Sequence, residues 1–270
     1  MKRYWLDLFC KAGGNARGML RKHVTPLGVD IEPQPNYPGY FLQMDALKAM
    51  RLLLNGGGLT FMRDGWPPLT IFITDLEGIW ASPPCHAGSS LRHAHNAKEH
   101  PQLIPPTRAL LRKIARESRE WTPDSPVNWI IENVESDETR RLMPRAIRLC
   151  GSHFGLGVWV GDNPLAQTFF QLQRHRLFET SFPAREPTCK HTKPVIGIYG
   201  GHARNRSSKH GGRGTADFVG QDRPTLAAVA LGLKPGSMTT EELSNAIPPA
   251  YAAYLIGEYD RSLRLSRFLS

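Results

Sequence analysis

Three short stretches of this chain carry side chains able to do covalent chemistry. The first is Ser82-Pro83-Pro84-Cys85-His86. Its prolines cannot continue a central strand and fix their own φ, so they stop a strand and aim the next residue rigidly. A thiol presented at the carboxyl end of a strand in an α/β protein sits where such folds put their chemistry. Cys85 is therefore a candidate nucleophile, against the plainer reading of a buried cysteine before a loop. The second stretch is Glu132-Asn133-Val134, which follows the apolar run from Val127 to Ile131. A carboxylate there either caps the strand or takes part in catalysis. On parallel strands, Glu132 and Cys85 share one edge of the sheet and converge on one crevice. The third stretch is Arg174-His175-Arg176, just before Leu177 and Phe178.

Those groups need a sheet to hold them, and the chain is patterned for one. Tyr4 to Phe9 reads as a first strand, followed by a turn with Gly13 and Gly14 and an amphipathic stretch to Lys22. Strand, glycine turn and helix aim backbone N–H groups at a bound ligand. A second strand, Leu27 to Ile31, contains Asp30, an acid roughly 20 residues beyond the turn, where nucleoside-binding folds hold ribose hydroxyls. Pro33 to Pro38 is an extended linker, Phe41 to Asp45 a third short strand, and Ala46 to Leu54 a helix stopped by Gly56-Gly57-Gly58. A fourth strand lies within Leu69 to Ala81, with no clear start. Gly88 to Pro106 reads as a loop, whose His93, His95 and His100 are more simply solvent-exposed than metal-bound. Thr107 to Ser118 is a basic amphipathic helix with Leu110, Leu111 and Ile114 inward. Leu149 to Val160 reads as turn and strand, and Thr168 to Leu172 as another strand. Glu241 to Ile256 is helical but broken at Pro248-Pro249, and a short basic tail follows.

Composition narrows the partners. At 270 residues the chain can bury a full core, as one large domain or a domain with a small lobe. No apolar run reaches the roughly 18 residues of a membrane span, and Asp7 interrupts the amino terminus before a secretory signal can form. Four spread cysteines without a CxxC pair give little support to a zinc site or a disulfide framework, and fit a reducing cytoplasm. The formal charge is +10 and the isoelectric point about 9.7, which favours a polyanionic partner. From Arg185 to Arg213 the chain carries Lys190, Lys193, Arg204, Arg206 and Lys209 between those two arginines, against Glu186 as the one acid.

Taken in order, these motifs resemble those of the DNA (cytosine-5)-methyltransferases. Asp7-Leu8-Phe9 with Gly13-Gly14 is similar to the family's first cofactor motif, and Ser82-Pro83-Pro84-Cys85 to its Pro-Cys motif. Glu132-Asn133-Val134 is similar to its Glu-Asn-Val motif and Arg174-His175-Arg176 to its Arg-x-Arg motif. Asn245-Ala246-Ile247-Pro248-Pro249 resembles the late cofactor motif. Compact members borne by phages or prophages have a similar look. Three positions depart from the pattern. Lys11 stands where the family has a glycine, His86 where it has glutamine, and Leu172 where its arginine motif begins with glutamine. Lys11 is expected to pair with an anion such as the methionine carboxylate of a bound cofactor.

The resemblance implies a Rossmann-like α/β sheet of the S-adenosylmethionine-dependent type with a small inserted target-recognition lobe. It places the catalytic domain at 1–180, the recognition lobe at 181–238 and returning helices at 239–270. It implies that Cys85 adds to C6 of a flipped-out cytosine, that Glu132 holds the N3 and N4 edge, and that Arg176 and Arg174 bind the ring carbonyl or a flanking phosphate. Phe9, Gly13 and Gly14 would line the methionine end of the cofactor, Asp30 its ribose, and Ile31 and Asp45 its adenine. Pro84, Asn245 and Ile247 would close the pocket. Ser89 and Arg92 after the nucleophile, with Arg204, Arg206, Lys209 and Arg213 in the basic lobe, would hold double-stranded DNA. The expected product is S-adenosylhomocysteine, with no metal, no membrane, a monomer and a cytoplasmic location in a bacterium or phage-infected cell. The span from Arg176 to Asn245 is short for a recognition lobe, so the recognised site is expected to be short or degenerate. Three other readings stay open: an RNA cytosine methyltransferase, an enzyme delivering another group, and an inactive DNA-binding relative. A nucleotide-dependent oxidoreductase is disfavoured because its Gly-x-Gly-x-x-Gly pattern is missing.

Overall fold

The computed structural model describes residues 3–84, 102–123, 125–161, 167–192, 194–199, 202–205, 218 and 222–269, with 202, 204, 205 and 266–269 described by backbone alone. Its centre is a run of five parallel strands. β1 (Tyr4–Leu8) pairs with β2 (Thr25–Asp30) on one side, and β2 with β3 (Tyr40–Gln43). On its other side β1 pairs with β6 (Leu76–Ala81), and β6 with β7 (Asn128–Val134). The chain thus reverses its direction of growth between β1 and β6, and open parallel sheets bind ligands at the carboxyl ends flanking such a switch. The full sheet has nine strands, with β4 (Leu59–Arg63) and β5 (Trp66–Ile71) beyond β3 and β11 (Arg176–Thr180) and β8 (Ile147–Leu149) beyond β7, in the order β5-β4-β3-β2-β1-β6-β7-β11-β8, which confirms the expected mixed α/β fold.

Strand periodicity explains its two buried faces, since successive side chains point to opposite sides. Leu6, Leu8, Ile79, Ala81, Trp129 and Ile131 join α2 (Ala46–Leu54) and α3 (Ile104–Trp121) in one core. The alternate residues Trp5, Trp80 and Ile130 face the opposite core, which contains Met19 of α1 (Gly14–Leu20) and Tyr251, Leu255 and Tyr259 of α7 (Pro249–Leu269). Each fully buried aromatic or leucine side chain contributes about 2–3 kcal/mol relative to exposure, so both faces are strongly specified. Trp5 meets Tyr259 edge-on with ring centres 5.4 Å apart. α1 and α7 lie close because Gly18 carries no side chain; a Cβ on Gly18 would stand 2.1 Å from the Pro249 carbonyl oxygen.

Several elements differ from the sequence expectation. Leu59 to Ile71 forms a hairpin, β4 (Leu59–Arg63) and β5 (Trp66–Ile71), turning at Asp64-Gly65, where Gly65 has φ +73°. The prolines of β5 are tolerated because it is the edge strand. Glu132 lies inside β7, which runs on to Val134. Beyond α4 (Asp137–Leu142) and β8 (Ile147–Leu149), the strands β9 (Gly157–Val160), β10 (Thr168–Leu172), β12 (Val195–Tyr199) and β13 (His202–Asn205) make a second sheet, ordered β13-β12-β10-β9. It packs on α5 (Arg223–Leu231) and α6 (Thr240–Asn245) through Leu172, Ile196, Leu226, Leu231 and Leu243. This sheet begins at Gly157, ahead of the expected lobe boundary at 181, while β11 (Arg176–Thr180) returns to the main sheet between β7 and β8.

Candidate active site

The carboxyl end of β6 continues into Ser82, Pro83 and Pro84, the residue before Cys85. Ser82 N–H donates to the Leu8 carbonyl at 3.1 Å, which keeps this turn beside the end of β1. Asn133 holds it from the other side. Its Nδ2 donates to the Pro83 carbonyl at 2.9 Å, while its Oδ1 accepts from Val134 N–H at 2.9 Å. A proline-proline pair leaves its carbonyls as the available handles, because neither nitrogen can donate. Asn133 was quoted in the motif without a role; the geometry makes it the latch of the turn. Cys85, Ser89, Arg92, Arg206, Lys209, Arg213 and the side chain of Arg204 lie outside the described residues.

Glu132 and Arg176 face each other across the antiparallel pair of β7 and β11. Arg176 Nε lies 3.1 Å from Glu132 Oε1, and both side chains are buried. Burial pushes the Glu132 carboxyl above the usual range, opposed by Arg176, a Ser82 hydrogen bond and Arg174. Arg174 differs from the expectation of a base or phosphate contact. Its two terminal nitrogens donate to the Ile198 and Ser244 carbonyls, each at 2.7 Å, and its side chain is fully buried. Burial, followed by the neighbouring Arg176 charge, pulls its pKa down to about 9. In this structure Arg174 clasps β12 to the end of α6, and Tyr251 OH donates to its carbonyl at 2.6 Å.

The cradle between β1 and β2 carries the candidate cofactor residues. Phe9, Lys11 and Gly13 all take positive φ, at 57°, 44° and 68°, so the turn that opens α1 is tightly wound. Lys11 holds there a conformation that glycine adopts most freely. Gly14 approaches the late motif so closely that a Cβ would lie 2.4 Å from the Ile247 carbonyl oxygen, which brings the first and last cofactor motifs together. Asp30 is buried at the end of β2 and accepts from Lys11 N–H at 3.0 Å and Glu32 N–H at 3.1 Å. Ile31 beside it is 65% exposed, an apolar plate next to a carboxylate. A carboxylate has lone pairs to spare after two such bonds, so this pair suits a nucleoside, with hydroxyls on Asp30 and the base on Ile31.

Other residues of the cradle depart from expectation. Lys11 Nζ pairs with Glu32 Oε2 at 2.7 Å and lies 3.7 Å from Asp30 Oδ1, so its anions are on the ribose side. Asp45 is the N-cap of α2, its Oδ1 accepting from Lys48 N–H at 2.7 Å. Asn245 ends α6 at the surface, whereas Ile247 is buried against α1. Asp7, Asn15 and Tyr37 were missed as positioning groups. Fully buried Asp7 accepts from Asn15 Nδ2 at 2.7 Å and from Tyr37 OH at 3.1 Å, tying α1 and the proline linker to β1. Burial raises its pKa to about 8 despite those donors. A cleft of about 290 Å³ lined by Phe72, Ile73, Thr74 and Trp121 lies at the amino ends of β6 and β7, the opposite edge of the sheet.

Sequence spacing argued against a metal, yet Cys150, His175, Cys189 and His191 bring four ligand atoms within 4.8 Å of one another. Burial disfavours the Cys150 thiolate, but hydrogen bonds from His175, the Ser152 backbone, His191 and the Arg174 backbone outweigh it and bring its pKa down to about 5. Cys10, by contrast, is pushed well above the usual thiol range by burial and by Asp7 and Asp30.

No family model matches the chain, and no curated protein matches it. Solved structures do. A protein of E. coli described as a "putative DNA modification methyltransferase" encoded within a prophage superposes with a TM-score of 0.50 at 11% identity, covering 97% of this chain and all of its own. A variant of Spodoptera frugiperda DNMT2 superposes with a TM-score of 0.52 at 12% identity, covering 95% of this chain and 99% of its own. At this identity the likeness is one of fold, and it extends over nearly the whole chain.

Proposed function

We propose that this chain is an S-adenosylmethionine-dependent methyltransferase that modifies C5 of cytosine in DNA. The observation that carries the reading is the buried Glu132–Arg176 pair standing beside the latched Pro83-Pro84 turn at the carboxyl edge of the sheet. The fold shared with an E. coli prophage protein described as a "putative DNA modification methyltransferase" supports it, as does the pairing of buried Asp30 with exposed Ile31, which would suit a nucleoside. S-adenosylmethionine, when bound, supplies an electrophilic methyl group.

The chain's own residues then divide the work. Cys85 as thiolate adds to C6 of the cytosine, which makes C5 electron-rich enough to take the methyl group. Glu132, whose hold on a proton burial strengthens, gives a proton to N3 and accepts from the 4-amino group, so that ring charge is balanced as the adduct forms. Arg176 holds the Glu132 carboxyl in place and faces the ring carbonyl. Asn133 fixes the turn that aims the nucleophile. Loss of the C5 proton to a water molecule restores the 5,6 double bond and expels the Cys85 sulfur as thiolate, while N3 returns its proton to Glu132. A stacked cytosine hides C6, so the base must leave the duplex, and the basic segment from Arg185 to Arg213 is the anionic strand's counterpart.

The test uses DNA with 5-fluorocytosine. Fluorine at C5 cannot leave as a proton, so Cys85 stays bound to C6. The expected result is a denaturation-resistant protein–DNA adduct that requires S-adenosylmethionine and disappears in Cys85→Ala. Adduct on the matching RNA but not on DNA would move the substrate to RNA. No adduct on either would overturn the proposal.

A further inference from the structure

We propose that Cys150, His175, Cys189 and His191 bind one structural zinc ion that fixes the arginine motif against the end of β7. The ligand atoms are already spaced for it. Around zinc, with Zn–N of about 2.0–2.1 Å and Zn–S of about 2.3 Å, a tetrahedron separates two nitrogens by roughly 3.3 Å and nitrogen from sulfur by roughly 3.6 Å. Here His175 Nε2 and His191 Nε2 are 3.3 Å apart. Cys189 Sγ lies 3.5 Å from His175 Nε2 and 3.0 Å from His191 Nε2, and Cys150 Sγ lies 3.3 Å from His191 Nε2. Two thiolates and two imidazoles are the donor set that selects zinc among abundant divalent ions. Four protein ligands close the coordination sphere and leave no position for a substrate, so the role is structural.

The surroundings are those of a metal site. His175 Nδ1 lies 2.7 Å from Glu135 Oε2, a carboxylate–histidine pair that fixes the ring and turns the Nε2 lone pair toward the cluster. Arg140 and Arg148 hold Glu135 in turn. Cys150 is buried, with its Sγ 3.9 Å from the Leu172 carbonyl oxygen, and Ser152 Oγ sits 3.4 Å from Cys189 Sγ. The ligands come from three segments: the end of β8, the residue before β11, and the stretch after β11. Between Ser181 and Thr192 that last stretch has no helix or strand of its own, so it gains most from a staple. His175 also sits between Arg174 and Arg176, and Glu135 is one residue beyond β7. Zinc there would hold Arg176 toward Glu132 without touching substrate. The inference does not depend on the reaction proposed above.

Metal analysis of untagged protein, purified without chelator, tests it. Inductively coupled plasma mass spectrometry is expected to find about one zinc per chain, falling below about a tenth in Cys150→Ser and in His191→Ala while Cys10→Ser keeps it. Should the ligand variants fail to fold, wild-type protein stripped by chelator and reloaded with Co²⁺ is expected to show the visible bands of a tetrahedral thiolate–imidazole site. Wild-type protein with no zinc and no such Co²⁺ spectrum, full zinc in the variants, or a Cys150–Cys189 disulfide would each overturn the proposal.

Discussion

Asn133 shows how much a single amide can decide. Its donor is the one hydrogen bond holding the Pro83 carbonyl among the described residues, and its acceptor is spent on its own strand. Asn133→Ala would leave a buried carbonyl unpaired, at about 1–3 kcal/mol of stability by urea denaturation. On the proposed mechanism this turn leads into the nucleophile, so turnover is expected to fall by about tenfold or more, mostly in kcat rather than KM. A variant with normal kcat would show that the turn holds itself. Glu132 and Arg176 were quoted from the sequence as motifs, and the fold pairs them. Asn133 was visible but without a role, since its partner lies fifty residues away. Arg174 was misread for the same reason: that its guanidinium would be consumed by the Ile198 and Ser244 carbonyls is a property of the closed fold.

At the scale of elements, the parallel strands β1, β2, β6 and β7 were readable because both their faces are buried, which leaves near-continuous apolar runs. The β4–β5 hairpin was not: the sequence showed only a strand without a clear start within Leu69 to Ala81, since the prolines at 67 and 68 of an edge strand mask its pattern. α7 was read as broken and short; its prolines in fact precede or open the helix, and the basic tail continues it. This helix is anchored to the stretch after β11 by Glu258, which pairs with Arg185 and Arg261, each at 2.8 Å. Burial alone would raise the Glu258 pKa, but the hydrogen bonds from the two arginines bring it down to about 2. Ionised Glu258 therefore favours the folded chain above its ordinary range, and that contribution is lost as pH falls from about 4.5 to about 2. Glu258→Gln is expected to lower stability at pH 7 by about 1 kcal/mol, discounted for the exposure of Arg185. The gap to wild type, read from calorimetric melting at pH 7 and pH 3, should narrow at the lower pH. An equal gap at both would remove the ion pairs from the account.

At the scale of the molecule, the sequence indicated one α/β sheet with a small added lobe, and the nine-stranded sheet bears out the first part. The second sheet was harder to see. Its strands are short, separated by long irregular stretches, and interrupted by β11, which belongs to the other sheet. The cysteine–histidine cluster was hidden in the same way, since its four ligands are dispersed along the chain and meet only where β8, β11 and the following stretch converge. What joins these parts is the edge where the Pro83-Pro84 turn after β6 stands beside Glu132 of β7 and Arg176 of β11. The most direct test of that account is nucleoside mass spectrometry of unmodified DNA after incubation with purified protein and S-adenosylmethionine, with Cys85→Ala in parallel. The account predicts 5-methylcytosine with the intact chain and none with the variant. Undiminished 5-methylcytosine with Cys85→Ala, or none from the intact chain on several DNAs, would contradict it.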